Sequence, residues 1–379
     1  MRLTTHRPLL RTEAASGAVT PTELFFDLVF VFVVTQVTHQ VEAHPGWQGL
    51  AQGLLPLAAV WWMFGSFGWL TNAVRPDAPA VRLLLGLAMT AFFLMGLALP
   101  YAFEPDGIAF PLAFLAAVVI HAALFLTASE PSARRGILRY APFNAVAGLL
   151  ILLAPHLPAR WTWAAWVAAI GTLYLSTIVG RVRGFVIEPH HFVERHGLIT
   201  LIVVGESIVA VGIGAQGRPV DAPLALAVTL GIAIASGIWW IYFNGDEERS
   251  VEALAAAEQE RRQMLGYQAF GLAHAAMIAG IVLIAAGISH AIHHFAHHTQ
   301  TWWLGAGTAV FLAGHAAHRR VLGTGTIASR LVGAVVAVPL CAVAAFAGWA
   351  ALTASALVLV AVATLDHLAL ARGELAPTD

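Results

Sequence analysis

The ionisable side chains that could do chemistry in this sequence lie inside long apolar stretches. The clearest is Glu206, near the middle of an apolar run from Gly197 to Ala215. An acid roughly 13 Å into such a run costs roughly 2.5 kcal/mol or more to insert, so we expect it to carry a proton or to bind a cation. Ser207 follows it, among small residues that would let another helix approach closely. The competing interpretation is a neutral carboxylic acid that holds two helices together.

Two further acids, Glu23 and Asp27, are four residues apart at the start of the first apolar run, in TPTELFFDLVFVF. On a helix they share a face, and Thr38 lies near the same direction eleven residues later. Two acids so placed repel each other unless a cation, a proton or an arginine lies between them, which makes all three residues candidates for ion binding. In the structural alternative, Glu23 caps the helix that begins after Thr20, and Asp27 pairs with a cytoplasmic arginine.

Histidines inside the apolar runs can relay protons or bind a metal, although a single one is more often a hydrogen-bonding group between helices. The candidates are His121, His274 and His315. Asp366, near the end of the last run, is a candidate of the same kind as Asp27, with less support. A separate histidine-rich run, 290–298, has the helical spacing of a zinc or copper site. It contains no acid or cysteine, so we predict a polar loop and no metal site.

Composition places the chain in a membrane. Of its 379 residues 59% are hydrophobic and 11% charged, with a mean hydropathy of +0.77, whereas soluble domains carry about 25% charged residues. The formal net charge of −1 and the lack of a basic tail disfavour nucleic acid as a partner. No nucleophile–base spacing, phosphate-binding loop or cysteine pair is present, so we predict no enzymatic activity and no cofactor.

Twelve apolar runs of roughly 18–25 residues are each long enough to cross a bilayer as a helix. With the N-terminus inside, the cytoplasmic segments hold 18 of the 20 basic residues, all of them arginine, as the positive-inside rule requires. The charged stretch 246–263 is expected to form a solvated helix on the cytoplasmic surface. The runs are 24–41, 50–72, 82–102, 108–128, 137–157, 161–180, 197–215, 222–244, 264–289, 301–318, 329–349 and 353–371.

The second half of the chain echoes the first. WWMFG at 61–65 resembles WWIYF at 239–243, and His121-Ala-Ala resembles His315-Ala-Ala. Because six is even, a duplicated six-helix unit keeps its orientation in both copies. We therefore predict an all-α polytopic membrane protein of about twelve transmembrane helices in two parallel six-helix repeats, with both termini cytoplasmic. The predicted segments are a cytoplasmic segment 1–21, repeats 22–185 and 186–372, and a tail 373–379.

Two motifs, TPTELFFDLVFVF and ERHGLITLIVVGESIVAVG, resemble those of the bacterial low temperature requirement protein A (LtrA) family, over essentially the whole chain. The resemblance implies a multi-pass protein of the inner (cytoplasmic) membrane. At the start of the second motif we expect Glu194 and Arg195 to pair with neighbouring groups or with Glu23. The matching residues are Glu23, Phe26 and Asp27 in the first motif, and Glu194, Arg195, Gly205, Glu206 and Ser207 in the second.

Three functions are compatible with these features. The first is a proton- or cation-coupled secondary transporter in which Asp27 and Glu206 face a central cavity. The second is a cation channel, because a two-repeat, twelve-helix potassium channel family carries a Phe-Ser-Asp motif to which Phe25-Phe26-Asp27 is loosely similar. The third is a membrane sensor or scaffold in growth at low temperature. The expected partners are the lipid bilayer and a proton or small cation, with the oligomeric state left open.

Overall fold

In a computed structural model, residues 19–74, 78–128, 131–180, 186–297, 302–343 and 346–371 are described, and these residues form helices and no strand. The all-α prediction is therefore confirmed. Short 3₁₀ segments follow α3 and α5, and a π-helical segment, Gly266–Ala273, joins α10 to α11. The helices are α1 (Pro21–Ala43), α2 (Trp47–Ala73), α3 (Pro79–Ala98), α4 (Ala109–Ala128), α5 (Pro131–Leu153), α6 (Ala159–Gly180), α7 (Pro189–Ala215), α8 (Ala222–Phe243), α9 (Asp246–Ala256), α10 (Gln259–Leu265), α11 (His274–His293), α12 (Trp303–Leu322), α13 (Ala328–Ala337), α14 (Leu340–Val343) and α15 (Gly348–Ala371).

Within the described residues, ten helical segments are long and apolar enough to cross a membrane, which fits a multi-pass membrane protein. The predicted runs 301–318 and 329–349 contain helices in their described parts, but these helices do not reach that standard. In α12 the last turns carry two histidines and two arginines, and the other run is divided at Pro339 into α13 and α14. The count of twelve spans therefore stays a prediction.

Side-chain caps fix the starts of α1 and α7, the two helices that carry the motifs. At α1 the Thr20 hydroxyl accepts from the backbone N–H of Glu23 (3.4 Å), and the Glu23 carboxylate accepts from the backbone N–H of Thr20 (2.9 Å), which is a capping box. At α7 the Glu188 carboxylate accepts from the backbone N–H groups of His190 (3.2 Å) and His191 (2.6 Å). Because of this cap α7 begins at Pro189, so the predicted start near Gly197 is wrong by two turns.

The stretch predicted as a solvated surface helix has one buried face. It forms α9 and α10, but Asp246, Ser250 and Leu254 are buried and repeat every four residues along α9. That spacing puts them on one side of the helix. The expectation of a fully solvated segment is therefore wrong, because this face packs inward.

The chain divides into two compact units. The first comprises Met1–Val33, Ala58–Arg195 and Glu258–Met264, and the second comprises Val34–Leu57, His196–Ala257 and Leu265–Asp379. These boundaries fall within α1, α2, α7 and α10 and between α9 and α10, and they differ from the predicted repeat boundaries, so the duplication stays a prediction.

In the first unit α3, α4, α5 and α6 pack each on the next. The ring of Phe26, from the first motif, packs against Phe64, Phe67 and Phe92 with centroids 4.9–5.8 Å apart. These aromatic contacts fix the side of α1 that faces the protein and hence the direction of its neighbour Asp27.

In the second unit α11 and α12 pack closely. A Cβ added to Gly280 would lie 2.5 Å from the backbone nitrogen of Phe311, and one added to Gly307 would lie 2.7 Å from the backbone oxygen of Gly280. Only glycine permits this approach of the two backbones.

Candidate functional site

Arg195 joins the two acids of α1 in the first unit. Its Nη1 donates to Glu23 Oε1 (3.0 Å) and to the hydroxyl of Thr71, and its Nη2 donates to Asp27 Oδ1 (3.3 Å). We call these residues, together with His191, the Glu23 cluster; all except Thr71 and His191 were singled out from the sequence. Every member is buried. The expected pairing of Arg195 with Glu23 is present, and so is the alternative expected for Asp27, an ion pair with an arginine.

Glu23 is fully hydrogen-bonded. Its Oε2 accepts from the backbone N–H and the hydroxyl of Thr20, both at 2.9 Å, and its Oε1 lies 3.0 Å from both Arg195 Nη1 and His191 Nε2. The Asn72 amide donates to His191 Nδ1 (3.0 Å), so Nε2 carries the ring hydrogen; it lies near Glu23 but forms no hydrogen bond with a described residue. Glu23 thus both caps α1 and anchors Arg195.

Asp27 is held more loosely. Its Oδ1 receives only the 3.3 Å bond from Arg195, and its Oδ2 is buried without a hydrogen-bond partner among the described residues. Glu194, the neighbour of Arg195, lies outside the Glu23 cluster; its Oε2 accepts from the backbone N–H of Val19 (3.1 Å) and lies 3.9 Å from His190 Nδ1. The Glu23 cluster therefore holds two acids and one arginine, with one acid oxygen unused.

Glu206 lies in the second unit and is buried. The hydroxyl of Thr35 donates to its Oε2 over 2.6 Å, whereas its Oε1 has no hydrogen-bond partner in the part of the chain that the structure describes. Thr38 and His39 lie close enough for their polar groups to act on the carboxylate. The Thr38 hydroxyl itself donates to the backbone oxygen of Val34 (3.2 Å).

Glu42 is a further acid of this site that the sequence reasoning missed. It is half-buried, and both the charge of Glu206 and the hydroxyl of Ser289 lie close enough to act on its carboxylate, whose Oε1 has no hydrogen-bond partner among the described residues. Its position one turn beyond Thr38 on α1 was the signal that could have found it. Together Glu42, Glu206, Thr35, Thr38 and His39 form the Glu206 site.

Only some of the small residues around Glu206 are in close contact with a neighbouring helix. A Cβ added to Gly205 would meet no atom within 4 Å, whereas one added to Gly214 would lie 2.7 Å from the backbone oxygen of Ser289. The Ser207 hydroxyl is buried and has no partner among the described residues. Close packing at this helix is therefore found at Gly214 and not at the motif residue Gly205.

A larger ion cluster in the second unit was not predicted as such. Asp366 Oδ1 accepts from Arg330 Nη1 (2.7 Å) and from the Ser329 hydroxyl (3.1 Å), and its Oδ2 accepts from Arg330 Nη2 and from Arg319 Nη2 (3.2 Å). Arg319 Nε also donates to Asp246 Oδ2 (2.8 Å). Asp246, His315, Arg319, Arg330 and Asp366 form what we call the Asp366 cluster. Two acids face two fully buried arginines there, and Arg249, which is 15% exposed, donates to Asp246 Oδ1 (2.6 Å) from the edge of the cluster, so no acid lacks a counter-charge.

His315 is a neutral member of this cluster. Its Nδ1 accepts from Arg330 Nε (2.6 Å), so Nε2 carries the hydrogen; Nε2 lies 3.3 Å from Asp246 Oδ2 but forms no hydrogen bond with a described residue. Arg319 and Arg330 are 0% exposed. The sequence predicted that these two arginines lie in cytoplasmic segments that flank the membrane, but both form buried ion pairs. The spacing of His315 and Arg319, four residues on one helical face, was a signal that could have identified the pair.

His274 is locked between two partners. Its Nδ1 lies 2.8 Å from the backbone oxygen of Ala269, which can only accept, so Nε2 is free to accept from the Tyr242 hydroxyl (2.8 Å). The same Ala269 oxygen lies 3.3 Å from Nδ1 of His318. Ala269 is in the π-helical segment, whose irregular backbone exposes that carbonyl to both rings. This arrangement favours the structural interpretation of His274.

His121 lies in the first unit and is buried between the rings of Phe67 and Phe125. Its Nε2 lies 3.0 Å from the backbone oxygen of Ser66, which makes Nε2 the donor, and its Nδ1 has no partner among the described residues. His121 is therefore a hydrogen-bonding group between α4 and α2.

The histidine-rich run ends a helix. His290 and His293 belong to α11, whose last residue is His293, and His294 and His297 follow in a turn; position 298 lies outside the described residues. Burial and the neighbouring His293 and His297 lower the pKa of His294. In the described part of the chain no group of three or more His, Cys, Asp or Glu side chains is arranged to hold a metal ion.

Comparison with known proteins agrees with the two motifs. The family described as bacterial low temperature requirement A protein (LtrA) matches residues 18–365. An uncharacterized protein of Rhizobium meliloti (strain 1021) is 26% identical over 297 residues, which cover 72% of the chain and 69% of that protein. No solved structure matches the chain. The predicted resemblance is confirmed, and the chain is a multi-pass membrane protein that belongs to the LtrA family.

Proposed function

We propose that this protein is a proton-coupled secondary transporter of the inner (cytoplasmic) membrane, in which Asp27 and Glu206 bind and release the coupling protons. The proposal includes the predicted arrangement of twelve spans in two parallel six-helix repeats with cytoplasmic termini. It includes no enzymatic step and no cofactor.

The observation that carries the proposal is shared by the two acids. Each has one buried carboxylate oxygen without a hydrogen-bond partner among the described residues, Oδ2 in Asp27 and Oε1 in Glu206. Buried polar atoms are normally paired, and an unpaired one leaves room for a proton, a water or an ion. Asp366 supplies the contrast, because both of its oxygens accept hydrogen bonds.

Charge balance supports the same assignment. In the Asp366 cluster two acids face two buried arginines and Arg249 at its edge, whereas in the Glu23 cluster two acids face one arginine. A buried charge without a counter-charge is costly, so a proton on Asp27 or on His191 would complete the Glu23 cluster. Asp27 is the natural acceptor because Glu23 already uses both oxygens.

Glu206 has a partner that suits both protonation states. The Thr35 hydroxyl can donate to a carboxylate and can accept from a carboxylic acid. The site can thus gain or lose a proton without leaving that oxygen unpaired. Glu42, half-buried on α1, is the group that would pass a proton between Glu206 and the exposed end of the helix.

Proton flux in proteoliposomes tests the proposal. A membrane potential is imposed on liposomes that contain the purified protein and an internal pH indicator, and flux is compared with that of protein-free liposomes. We expect flux for the unchanged protein and its loss in Asp27→Asn and Glu206→Gln. Glu252→Gln, the same chemical change at an exposed site on α9, should retain it.

A proton flux in both Asp27→Asn and Glu206→Gln equal to that of the unchanged protein would remove these residues from the mechanism. Flux that follows a sodium gradient and is insensitive to pH would assign the coupling ion as a small cation instead of a proton. Unitary currents in a planar bilayer would assign a channel.

A second candidate function, a non-transporting membrane sensor or scaffold, is favoured by the Asp366 cluster. Four charged side chains there are buried and paired with one another, an arrangement that fixes one conformation rather than two. Absence of flux from correctly folded, unsubstituted protein would favour this function.

A further inference from the structure

An apolar groove of about 730 Å³ runs between α3 and α4 in the first unit. Leu94 and Leu97 of α3 and Leu112 of α4 line its walls, and each is about half exposed. Cavities of this size hold small organic molecules or chains. On helices that cross a membrane, such an opening faces lipid, and lipid tails are as apolar as the leucines that line it.

One end of the groove carries negative charge. Glu104 and Asp106, in the loop that joins α3 to α4, line this end and are both exposed. Neither carboxylate forms an ion pair with a described residue. Tyr101, 64% exposed, stands beside them, and tyrosine in that position is typical of the boundary between lipid tails and headgroups.

The same end presents the start of a helix. α4 begins at Ala109. The backbone N–H groups of Ala109 and Phe110 have no acceptor within the helix, and Pro111 has no N–H. The loop is held tightly against this end, because a Cβ added to Gly107 would lie 2.2 Å from the backbone oxygen of Tyr101. Free amides and the helix dipole attract a phosphate, and the two carboxylates attract an amine.

We propose that this groove binds a phospholipid whose headgroup ends in a primary amine. One acyl chain lies between Leu97 and Leu112, the phosphate faces the first turn of α4, and the ammonium pairs with Glu104 and Asp106. Bulk lipid tails are as apolar as the groove, so the chain alone gives no preference. The selectivity comes from the headgroup, and a choline headgroup, which has no N–H, binds less well.

The test is native mass spectrometry of the purified full chain after exchange into equal mixtures of phospholipids with identical chains and ethanolamine, choline or glycerol headgroups. We expect retained ethanolamine lipid to be enriched about three- to tenfold over the other two, the range for one or two partly exposed ion pairs. The double variant Glu104→Gln/Asp106→Asn should lose the enrichment while still retaining lipid. Ala116→Phe, which fills the groove, should lose retained lipid altogether.

Val119→Phe is the matched control, since Val119 is exposed on the same helix outside the groove. It should behave like the unchanged protein. Equal retention of the three lipids, preference for the glycerol headgroup, or enrichment that survives Glu104→Gln/Asp106→Asn would each overturn the proposal. Retention that survives Ala116→Phe would place the lipid elsewhere and overturn it as well. None of these outcomes depends on proton flux.

Discussion

Replacing Glu23 with glutamine should destabilise the protein far more than replacing Asp27 with asparagine, although both acids touch Arg195. Glu23 accepts three hydrogen bonds, two from Thr20 at 2.9 Å and one from Arg195 at 3.0 Å. An amide in its place would turn an NH₂ group toward one set of donors and leave the guanidinium without its closer counter-charge. Removing one partner of a buried ion pair costs about 3–5 kcal/mol.

The loss expected for Asp27→Asn is about 1 kcal/mol or less. Asparagine keeps an oxygen for the single 3.3 Å bond from Arg195, so the charged guanidinium still donates, now to a neutral acceptor. The substitution also removes the second negative charge of the cluster, so Arg195 and Glu23 are left as a balanced pair. Loss of the repulsion between the two acids offsets part of the lost attraction to Arg195.

Equilibrium unfolding in mixed detergent micelles measures the difference, with Glu252→Gln as the exposed control. We expect the free energy of unfolding to fall by about 3 kcal/mol in Glu23→Gln and to change little in Asp27→Asn. Equal losses in the two variants, or a larger loss in Asp27→Asn, would refute the view that Glu23 holds the structure and that Asp27 is free to titrate.

Four further substitutions probe the second unit by the same unfolding assay. Gly280→Ala should cost about 1–3 kcal/mol, because the new methyl group would meet the backbone of α12. Arg330→Met should cost about 3–5 kcal/mol, and adding Asp366→Leu to it should restore part of the loss because no unpaired acid is left. Tyr242→Phe should cost about 1–3 kcal/mol, because His274 Nε2 loses its donor.

Each of these stability predictions has an outcome that would contradict it. Gly86→Ala, where the new methyl group meets no atom within 4 Å, should be neutral, and a loss equal to that of Gly280→Ala would disprove the close contact. A double variant of Arg330 and Asp366 less stable than Arg330→Met would deny their coupling. An unchanged free energy in Tyr242→Phe would mean that His274 does not need the hydroxyl.

The helices were predictable from sequence because long apolar runs have few other solutions in a membrane. Where a local cap decides the boundary, as Thr20 does for α1, the start could also be predicted. The start of α7 could not, because Glu188, which caps it, is itself held by the Asn72 amide oxygen, which accepts from its backbone N–H (2.8 Å). A contact 116 residues away in sequence leaves no local pattern.

The candidate site was predictable only in part for the same reason. Glu23 and Asp27 share a helical face by their spacing, and the motif supplied Arg195 as a partner. The Asp366 cluster joins residues that lie 73 and 47 positions apart, Arg319 with Asp246 and with Asp366, so no spacing rule connects them. The positive-inside rule also assigned Arg319 to a cytoplasmic segment, because an arginine in a buried ion pair and one that flanks the membrane cannot be distinguished in sequence.

Infrared difference spectroscopy across an acid–base titration tests the central claim most directly, because it detects the carbonyl band of a protonated carboxylic acid. Asp27 and Glu206 are predicted to contribute bands that come and go within the titration, one lost in Asp27→Asn and another in Glu206→Gln. The fully paired Asp366 should contribute none. Spectra of the two variants identical to that of the unchanged protein would contradict the assignment of these acids as proton carriers.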